Sequence, residues 1–201
     1  MKAPRSIIGI DEAGRGPLAG PVSVGVVCVP PDFDWGVLPG VNDSKQLSES
    51  AREVLFVAAK QLQKDNQLQY IVAMVSAKVI DRIGIVPAIR LAMKRALVRI
   101  DHDPANVLVK LDGSLAAPDT YLDQETIIKG DSKVKAIALA SIMAKVTRDR
   151  YMVRKASQTL YAPYDVAQHK GYGTKAHRVA IAKRGLSPEH RKSFCRSIKV
   201  L

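Results

Sequence analysis

The chain has 201 residues, 47% hydrophobic and 25% charged, the composition of a globular domain rather than of a disordered, collagenous or coiled-coil chain. At this length roughly 70% of the unfolded surface can be buried, so folding requires no disulfide or metal staple. No apolar run approaches the roughly 20 residues of a membrane helix. Met1-Lys2-Ala3-Pro4-Arg5 leads straight into a strand-like segment and leaves no room for a signal peptide. Cys28 and Cys195 fit neither a zinc spacing nor a disulfide framework, so a reducing, cytoplasmic setting is expected. The formal net charge is +12. Residues 1–130 carry 15 Lys+Arg and 15 Asp+Glu, whereas residues 131–201 carry 16 against 4 and hold the whole excess, together with His169, His177 and His190. Such a segment is either a solvated basic face or a docking surface for a polyanion, where phosphate contacts and counterion release reward clustered Lys and Arg. An acidic lipid surface is a weaker match, since no amphipathic segment pairs a basic face with Trp or Phe.

In chain order, residues 6–11 read as a short apolar strand ending in the turn Gly14-Arg15-Gly16-Pro17. The valine-rich residues 21–29 form a second strand, antiparallel to the first because the connection is short. A loop with prolines and glycines (30–44) precedes a helix capped by Ser48 and running to about residue 64. A strand is expected over 69–76, then a helix over 86–100 with Ile89, Met93 and Leu97 aligned and Pro87 near its start, where proline is tolerated. Strands follow at 107–111 and 126–129. Ser132 is expected to open a long helix to about residue 158, and Thr174 another towards residue 183. The order implies a mixed sheet flanked by helices, in the α/β class.

Four acids occupy strand ends or helix starts. Asp11 and Glu12 follow Ile7-Ile8-Gly9-Ile10, Asp112 follows Val107-Leu108-Val109-Lys110-Leu111, and Asp131 follows Ile127-Ile128-Lys129-Gly130. Strand ends deliver side chains to one sheet edge, so these carboxylates can converge. Neighbouring strand residues point to opposite faces, so Asp11 and Glu12 share a site only if the strand breaks at or just after them. Converged carboxylates repel unless a cation lies among them, and an oxygen-only donor set favours Mg²⁺ or Mn²⁺ over Zn²⁺. Taken singly, Asp131-Ser132 also reads as part of a helix cap and Asp112-Gly113 as a plain turn. Gly14 and Gly16 permit close backbone approach to a ligand, although a tight turn explains Gly-Arg-Gly as well.

The run from Gly9 through Asp11-Glu12-Ala13-Gly14-Arg15-Gly16-Pro17 to Val22 closely resembles the opening motif of bacterial ribonuclease HII. The resemblance continues through Asn42-Asp43-Ser44-Lys45, Asp112-Gly113, Lys129-Gly130-Asp131-Ser132, the stretch from Ala140 to Asp149, His169-Lys170-Gly171-Tyr172-Gly173-Thr174 and His190-Arg191-Lys192-Ser193-Phe194. It spans nearly the whole chain in the right order. It implies a ribonuclease H-like fold in a single catalytic domain, with a basic helical extension over about 160–201. It also implies an endonuclease that hydrolyses the RNA strand of RNA–DNA hybrids and cleaves 5′ to single ribonucleotides in duplex DNA, serving replication and repair. Asp11, Glu12, Asp112 and Asp131 match the family's active-site acids, which hold Mn²⁺ or Mg²⁺. Two such ions can activate the attacking water and neutralise the leaving 3′-oxygen, giving 3′-hydroxyl and 5′-phosphate ends. Gly14, Arg15, Gly16 and Tyr172 match residues that recognise the ribose at the RNA–DNA junction. Lys45, Lys145, Arg148 and Lys170 are candidate phosphate contacts. The protein is expected to act as a monomer away from membranes. Ribonuclease HIII usually carries an extra N-terminal module, for which the ten residues before Asp11 leave no room, and a silent duplex-binding protein on the same fold would need a broken acidic set. Gly84-Ile85-Val86-Pro87 and Tyr164-Asp165-Val166 depart from the family pattern, the latter where Tyr-Gly-Phe is common.

Overall fold

The computed structural model describes residues 5–113 and 115–199; the N-terminal reading of Met1 to Pro4 and the last two residues of the expected extension lie outside them. The strands are β1 (Ser6–Ala13), β2 (Val22–Val29), β3 (Gln69–Val75), β4 (Val107–Asp112) and β5 (Gln124–Ile127), in one sheet of order β3-β2-β1-β4-β5. β2 runs antiparallel to β1 and β3, while β4 is parallel to β1 and β5 to β4. The helices are α1 (Glu49–Lys64), α2 (Ala77–Ile83), α3 (Ile85–Leu97), α4 (Lys135–Ala156), α5 (Val166–His169) and α6 (Lys175–Arg184).

Helices on both faces explain why β2 reads as an unbroken valine run rather than an alternating one: every residue of it is buried. Ile8, Ile10, Val22, Val24, Val26, Val107 and Val109 pack against Ala88, Ile89, Ala92 and Met93 of α3. On the other face Val27 and Val29 meet α4, which α1 covers in turn through Leu55, Phe56 and Ala59. Helix α4 is buried nearly all round, as a helix between two layers must be. It lies unusually close to the sheet. A Cβ built on Gly9 would fall 2.2 Å from the Ala136 carbonyl carbon, and one on Gly25 2.2 Å from the Ala140 carbonyl oxygen.

Ser48 caps α1 as expected, accepting from the Ala51 amide at 3.1 Å, and Pro87 lies in the first turn of α3. Three expectations shift. The expected helix over 86–100 ends at Leu97, and α2 precedes it, separated by Gly84 at φ +86°. Seven residues are too few to show helical periodicity. The fifth strand ends at Ile127 because Lys129 is left-handed (φ 56°) and turns the chain back. Ser132 does not cap the long helix: its hydroxyl donates to the Lys129 carbonyl at 2.9 Å within a 3-10 turn (Gly130–Ser132), and α4 begins three residues later.

The C-terminal segment folds back on the residues after β1. Ala19 bridges His190, the Gly20 amide donates to the Glu189 carbonyl, and the Arg191 amide to the Leu18 carbonyl, each of these two bonds at 2.8 Å. Leu18, Met152, Tyr161, Tyr164, Val166, Ile181 and Cys195 form a small core of their own beneath this junction. Asp165, where the family commonly has glycine, is left-handed at φ 51°, a conformation that Asp tolerates better than most side chains. No helix of the described residues is long and apolar enough to cross a membrane.

The α4–sheet contact yields the first test. In Gly9→Ala the new methyl meets helix backbone, which cannot rotate aside, so unfolding free energy is expected to fall by about 1–3 kcal/mol. A urea-denaturation midpoint equal to the parent's would show that α4 can withdraw from the sheet.

Candidate active site

The parallel register of β1 and β4 pairs Ile10 with Leu111, so Asp11 and Asp112 are the next neighbours along the two strands and share the α4 face. The left-handed turn at Lys129 brings Asp131 back to them, and the Gly130 amide donates to Asp112 Oδ1 at 2.7 Å. One carboxylate oxygen from each of Asp11, Asp112 and Asp131 lies within 4.8 Å of the others. Asp11 and Asp131 are buried and Asp112 is half-buried. Burial, opposed by a hydrogen bond from Ser141 and reinforced by the charges of Glu12 and Asp112, raises the Asp11 pKa to about 8.

Glu12 stands apart from this cluster. The strand does not break after Asp11 but stays paired to Ala13, so alternation turns Glu12 away, and Arg15 Nε approaches its carboxylate at 3.4 Å. Its pKa is nevertheless raised, by burial first, against the pull of Arg15 and with the charge of Asp112 adding. The site is thus three aspartates with carboxylate oxygens within 4.8 Å of one another and a glutamate outside that group.

Lys45 reaches the cluster from the loop before α1, with Nζ 3.1 Å from Asp131 Oδ2 and its side chain largely exposed. That loop is tied down by a buried 2.8 Å bond between the Ser44 and Ser141 hydroxyls and by Arg52 donating to the Ser44 carbonyl. Lys145 pairs with Asp149 at 2.7 Å and lies 5.9 Å from the centre of the Tyr172 ring. Lys170 is left-handed, and its ammonium donates to the Ala167 carbonyl. Tyr172 is 45% exposed.

Arg148 corrects the sequence reading. It is fully buried, and its guanidinium donates to the carbonyls of Pro21 (2.9 Å), Ala19 (3.0 Å) and Lys170 (2.9 Å). With its donors so used inside the protein it is no surface phosphate contact. Its position was readable: Ala136, Ala140, Ala144 and Arg148 repeat every four residues, which puts the arginine on the stripe facing the sheet.

Arg191, His177 and His190 were missed as site components. Arg191 is fully buried and donates to the carbonyls of Gly14 (2.6 Å), Arg15 (2.9 Å) and Gly20 (3.0 Å). His177 Nδ1 lies 2.9 Å from the Tyr172 carbonyl, which can only accept, so this nitrogen carries the proton. His177 Nε2 then accepts from His190 Nε2 at 2.9 Å, and His190 Nδ1 accepts from the Ser187 amide at 2.9 Å. Every tautomer is fixed, and both rings are neutral beneath the Tyr172 loop. No local sequence signal marks contacts of this range.

A mixed five-stranded sheet with helices on both faces and carboxylates converging from its first and fourth strands defines a nuclease of the ribonuclease H class. Comparison with known proteins narrows the class. The family model described as Ribonuclease HII matches residues 8–197. A ribonuclease HII of Endomicrobium trichonymphae is 46% identical over 188 residues, covering 94% of this chain and 84% of that protein. One of Syntrophotalea carbinolica is 46% identical over 190 residues, covering 94% and 85%. The crystal structure of ribonuclease H2 from Pyrococcus horikoshii OT3 aligns with a TM-score of 0.70 at 26% identity, covering 96% of this chain and 97% of that one. The chain belongs to the ribonuclease HII family, hydrolases acting on the RNA of RNA–DNA hybrids.

The histidine pair gives the second test. Burial first lowers both pKa values to about 4; the charges of His169 and Arg178 add to it at His177 against the bond to the Tyr172 carbonyl, and the charge of His177 adds to it at His190. Between about 4 and the unfolded value of 6.5 only the unfolded chain is protonated, so unfolding takes up protons and stability falls as pH drops. Asp11 and Glu12, whose pKa values are raised in the fold, act in the opposite sense over the same range, and the Asp11→Asn variant removes the Asp11 contribution. Its unfolding free energy is expected to decline from pH 6.5 to pH 5 by up to about 1.4 kcal/mol per pH unit for each histidine. A flat urea profile over that range would show that the rings titrate freely.

Proposed function

We propose that the chain is a ribonuclease HII endonuclease that cuts duplex DNA 5′ to a single embedded ribonucleotide, and the RNA strand of hybrids, leaving 3′-hydroxyl and 5′-phosphate ends. The observation that carries this reading is the contact of Asp11, Asp112 and Asp131 at one sheet edge. An Asp11 carboxyl driven to a pKa of about 8 by burial and two neighbouring carboxylates is unstable as an anion alone, and a divalent cation removes that instability. The donors are all oxygen, which suits Mg²⁺ or Mn²⁺. Asp11, Asp112 and Asp131 would hold the ions, with Glu12 at the margin. When bound, the ions supply activation of the attacking water and neutralisation of charge on the leaving oxygen.

The remaining residues position the duplex. Lys45, exposed beside Asp131, is placed to contact the phosphate of the cleaved strand. Lys145, near the Tyr172 ring, and Lys170, two residues before it in the chain, would add positive charge there, and exposed Lys133, Lys135, Lys175 and Arg178 would extend the basic surface along the backbone. Gly14, Arg15 and Gly16 meet the ribose, whose 2′-hydroxyl distinguishes it from DNA, and Tyr172 meets the neighbouring sugar on its exposed ring face. Such a substrate set would serve ribonucleotide removal during replication and repair by a monomer, and the buried free thiols Cys28 and Cys195 are compatible with a reducing cytoplasm.

Two experiments test this reading. Duplex DNA carrying one ribonucleotide is expected to be cut 5′ to it with Mg²⁺ or Mn²⁺ and left intact with chelator. Asp11→Asn should lose at least about 1,000-fold in rate, the scale of a lost electrostatic contact to the reacting centre, while binding the duplex as before. Retained turnover in that variant would remove the metal-site assignment. Tyr172→Ala separates junction sensing from general binding. If the ring covers a deoxyribose that a second 2′-hydroxyl would crowd, activity falls far more on the single-ribonucleotide duplex than on a long RNA–DNA hybrid. Equal losses on the two substrates would reduce Tyr172 to a packing or binding role.

A further inference from the structure

The two segments assigned to ribose recognition are held from inside by buried arginines. Arg191 takes the carbonyls of Gly14, Arg15 and Gly20, and Arg148 those of Ala19, Pro21 and Lys170. The two segments also touch directly. The Leu18 amide donates to the Gly171 carbonyl at 2.9 Å, and a Cβ on Gly171, at φ +86°, would fall 2.4 Å from the Ala19 carbonyl oxygen. Residues 14–21 and 170–173 therefore move as one body.

Arg191 does more than tether. A peptide unit is planar and trans, so its C=O and N–H point in opposite directions. The Gly14 carbonyl shares its plane with the Arg15 amide, and the Arg15 carbonyl with the Gly16 amide. Turning both carbonyls inward onto one guanidinium turns the two successive amides outward. Arg15 and Gly16 are exposed there, and a Cβ on Gly16 would meet nothing within 4 Å, so the space in front is open. Two adjacent outward amides form a donor pair for an oxygen acceptor. We propose that Arg191 is a positioning residue for substrate selection: it fixes the Arg15 and Gly16 amides as the donors that receive the ribose 2′-hydroxyl.

This inference rests on the ribose-recognition reading above. A buried guanidinium bonded only to carbonyls is costly to the fold, and burial together with the charge of Arg148 lowers the Arg191 pKa to about 9. Asp81 of α2 supports the placement. Its carboxylate accepts from the amides of Lys192 and Ser193, both at 2.9 Å, and from the Ser193 hydroxyl at 2.6 Å, anchoring the residues directly after Arg191.

The test compares two duplexes, identical except that one carries a single ribonucleotide, in binding to Asp11→Asn protein so that cleavage does not intervene. The reference is expected to favour the ribonucleotide duplex. Adding Arg191→Lys keeps the charge but not the planar three-carbonyl grip. It should weaken binding to the ribonucleotide duplex about five- to tenfold, the worth of one or two hydrogen bonds, and leave binding to all-DNA unchanged. Equal weakening on both duplexes, or none, overturns the proposal and leaves Arg191 as a fold anchor. A reference that binds both duplexes alike removes the recognition reading itself, and this inference with it. Should Arg191→Lys not fold, Asp81→Ala decides: a smaller loss confined to the ribonucleotide duplex supports the proposal, and unchanged selectivity overturns it.

Discussion

The close seating of α4 on β1 and β2 is the constraint on which the rest of the molecule depends. It follows from a stripe with a four-residue step, Ala136, Ala140, Ala144, Arg148 and Met152, set against glycines. Gly9 and Gly25 admit the helix backbone, Gly14 admits the Arg148 side chain, and Gly20 admits the Met152 thioether. Small residues facing small residues bring helix and sheet within the distance at which Ser141, one position beyond the stripe, reaches Asp11. The same helix carries Lys145 to Tyr172 and Arg148 beneath the loop after β1. Carboxylate burial, the Ser44 tie and the recognition loop are thus three consequences of one packing interface.

Charge inside this protein is handled by two opposite devices. At the sheet edge, like charges are forced together, and burial with the charges of Glu12 and Asp112 raises the Asp11 pKa to about 8. Beneath the recognition loops, cations are taken into the interior and spread over six backbone carbonyls, and the adjoining histidines are held neutral by a fixed chain of donors and acceptors. The +12 formal charge therefore overstates the basic surface, since Arg148 and Arg191 contribute to the interior. What remains on the surface is carried largely by lysines and arginines whose long side chains can follow a phosphate backbone of any sequence.

Much of this was legible in the sequence where the signal is local. The valine run of β2, the Ser48 cap and the tolerated Pro87 follow from side-chain periodicity and backbone chemistry within a few residues. Asp11 and Asp112 were legible as strand ends, because a strand end is a place in the fold as well as in the chain, whereas Asp131 lies in the 3-10 turn after β5. Glu12 was expected to share the site on condition that the strand break beside it; β1 stays paired to Ala13, and Glu12 lies outside the group of three aspartates. The short α2, the register of β5 and the role of Ser132 were not legible. Each is decided by tertiary contacts: Asp81 reaching the C-terminal segment, Gln124 hydrogen-bonding across to Ala117 and Tyr121, and Gly130 turning onto Asp112. Arg148 was misread because its residue type suggested solvent while its helical phase pointed inward. The phase was the better guide.

Chain geometry also bears on how the proposed recognition and chemistry are spaced. Asp11 lies on β1, and the proposed amide donors follow at Arg15 and Gly16 on the same stretch of backbone. Four or five residues of extended chain span no more than about 13–18 Å, and the turn at Gly14 shortens that reach. Asp112 is fixed beside Asp11 by the strand register, and Arg191 ties the turn at Gly14 and Arg15 to Gly20, two residues before β2. A ribose seated on the amides would therefore meet the carboxylates at one backbone offset only, whatever base it bears. On the proposed reading, cleavage on a fixed side of the ribonucleotide would follow from the interval between strand end and turn, a distance limited by covalent geometry and held by the two buried arginines.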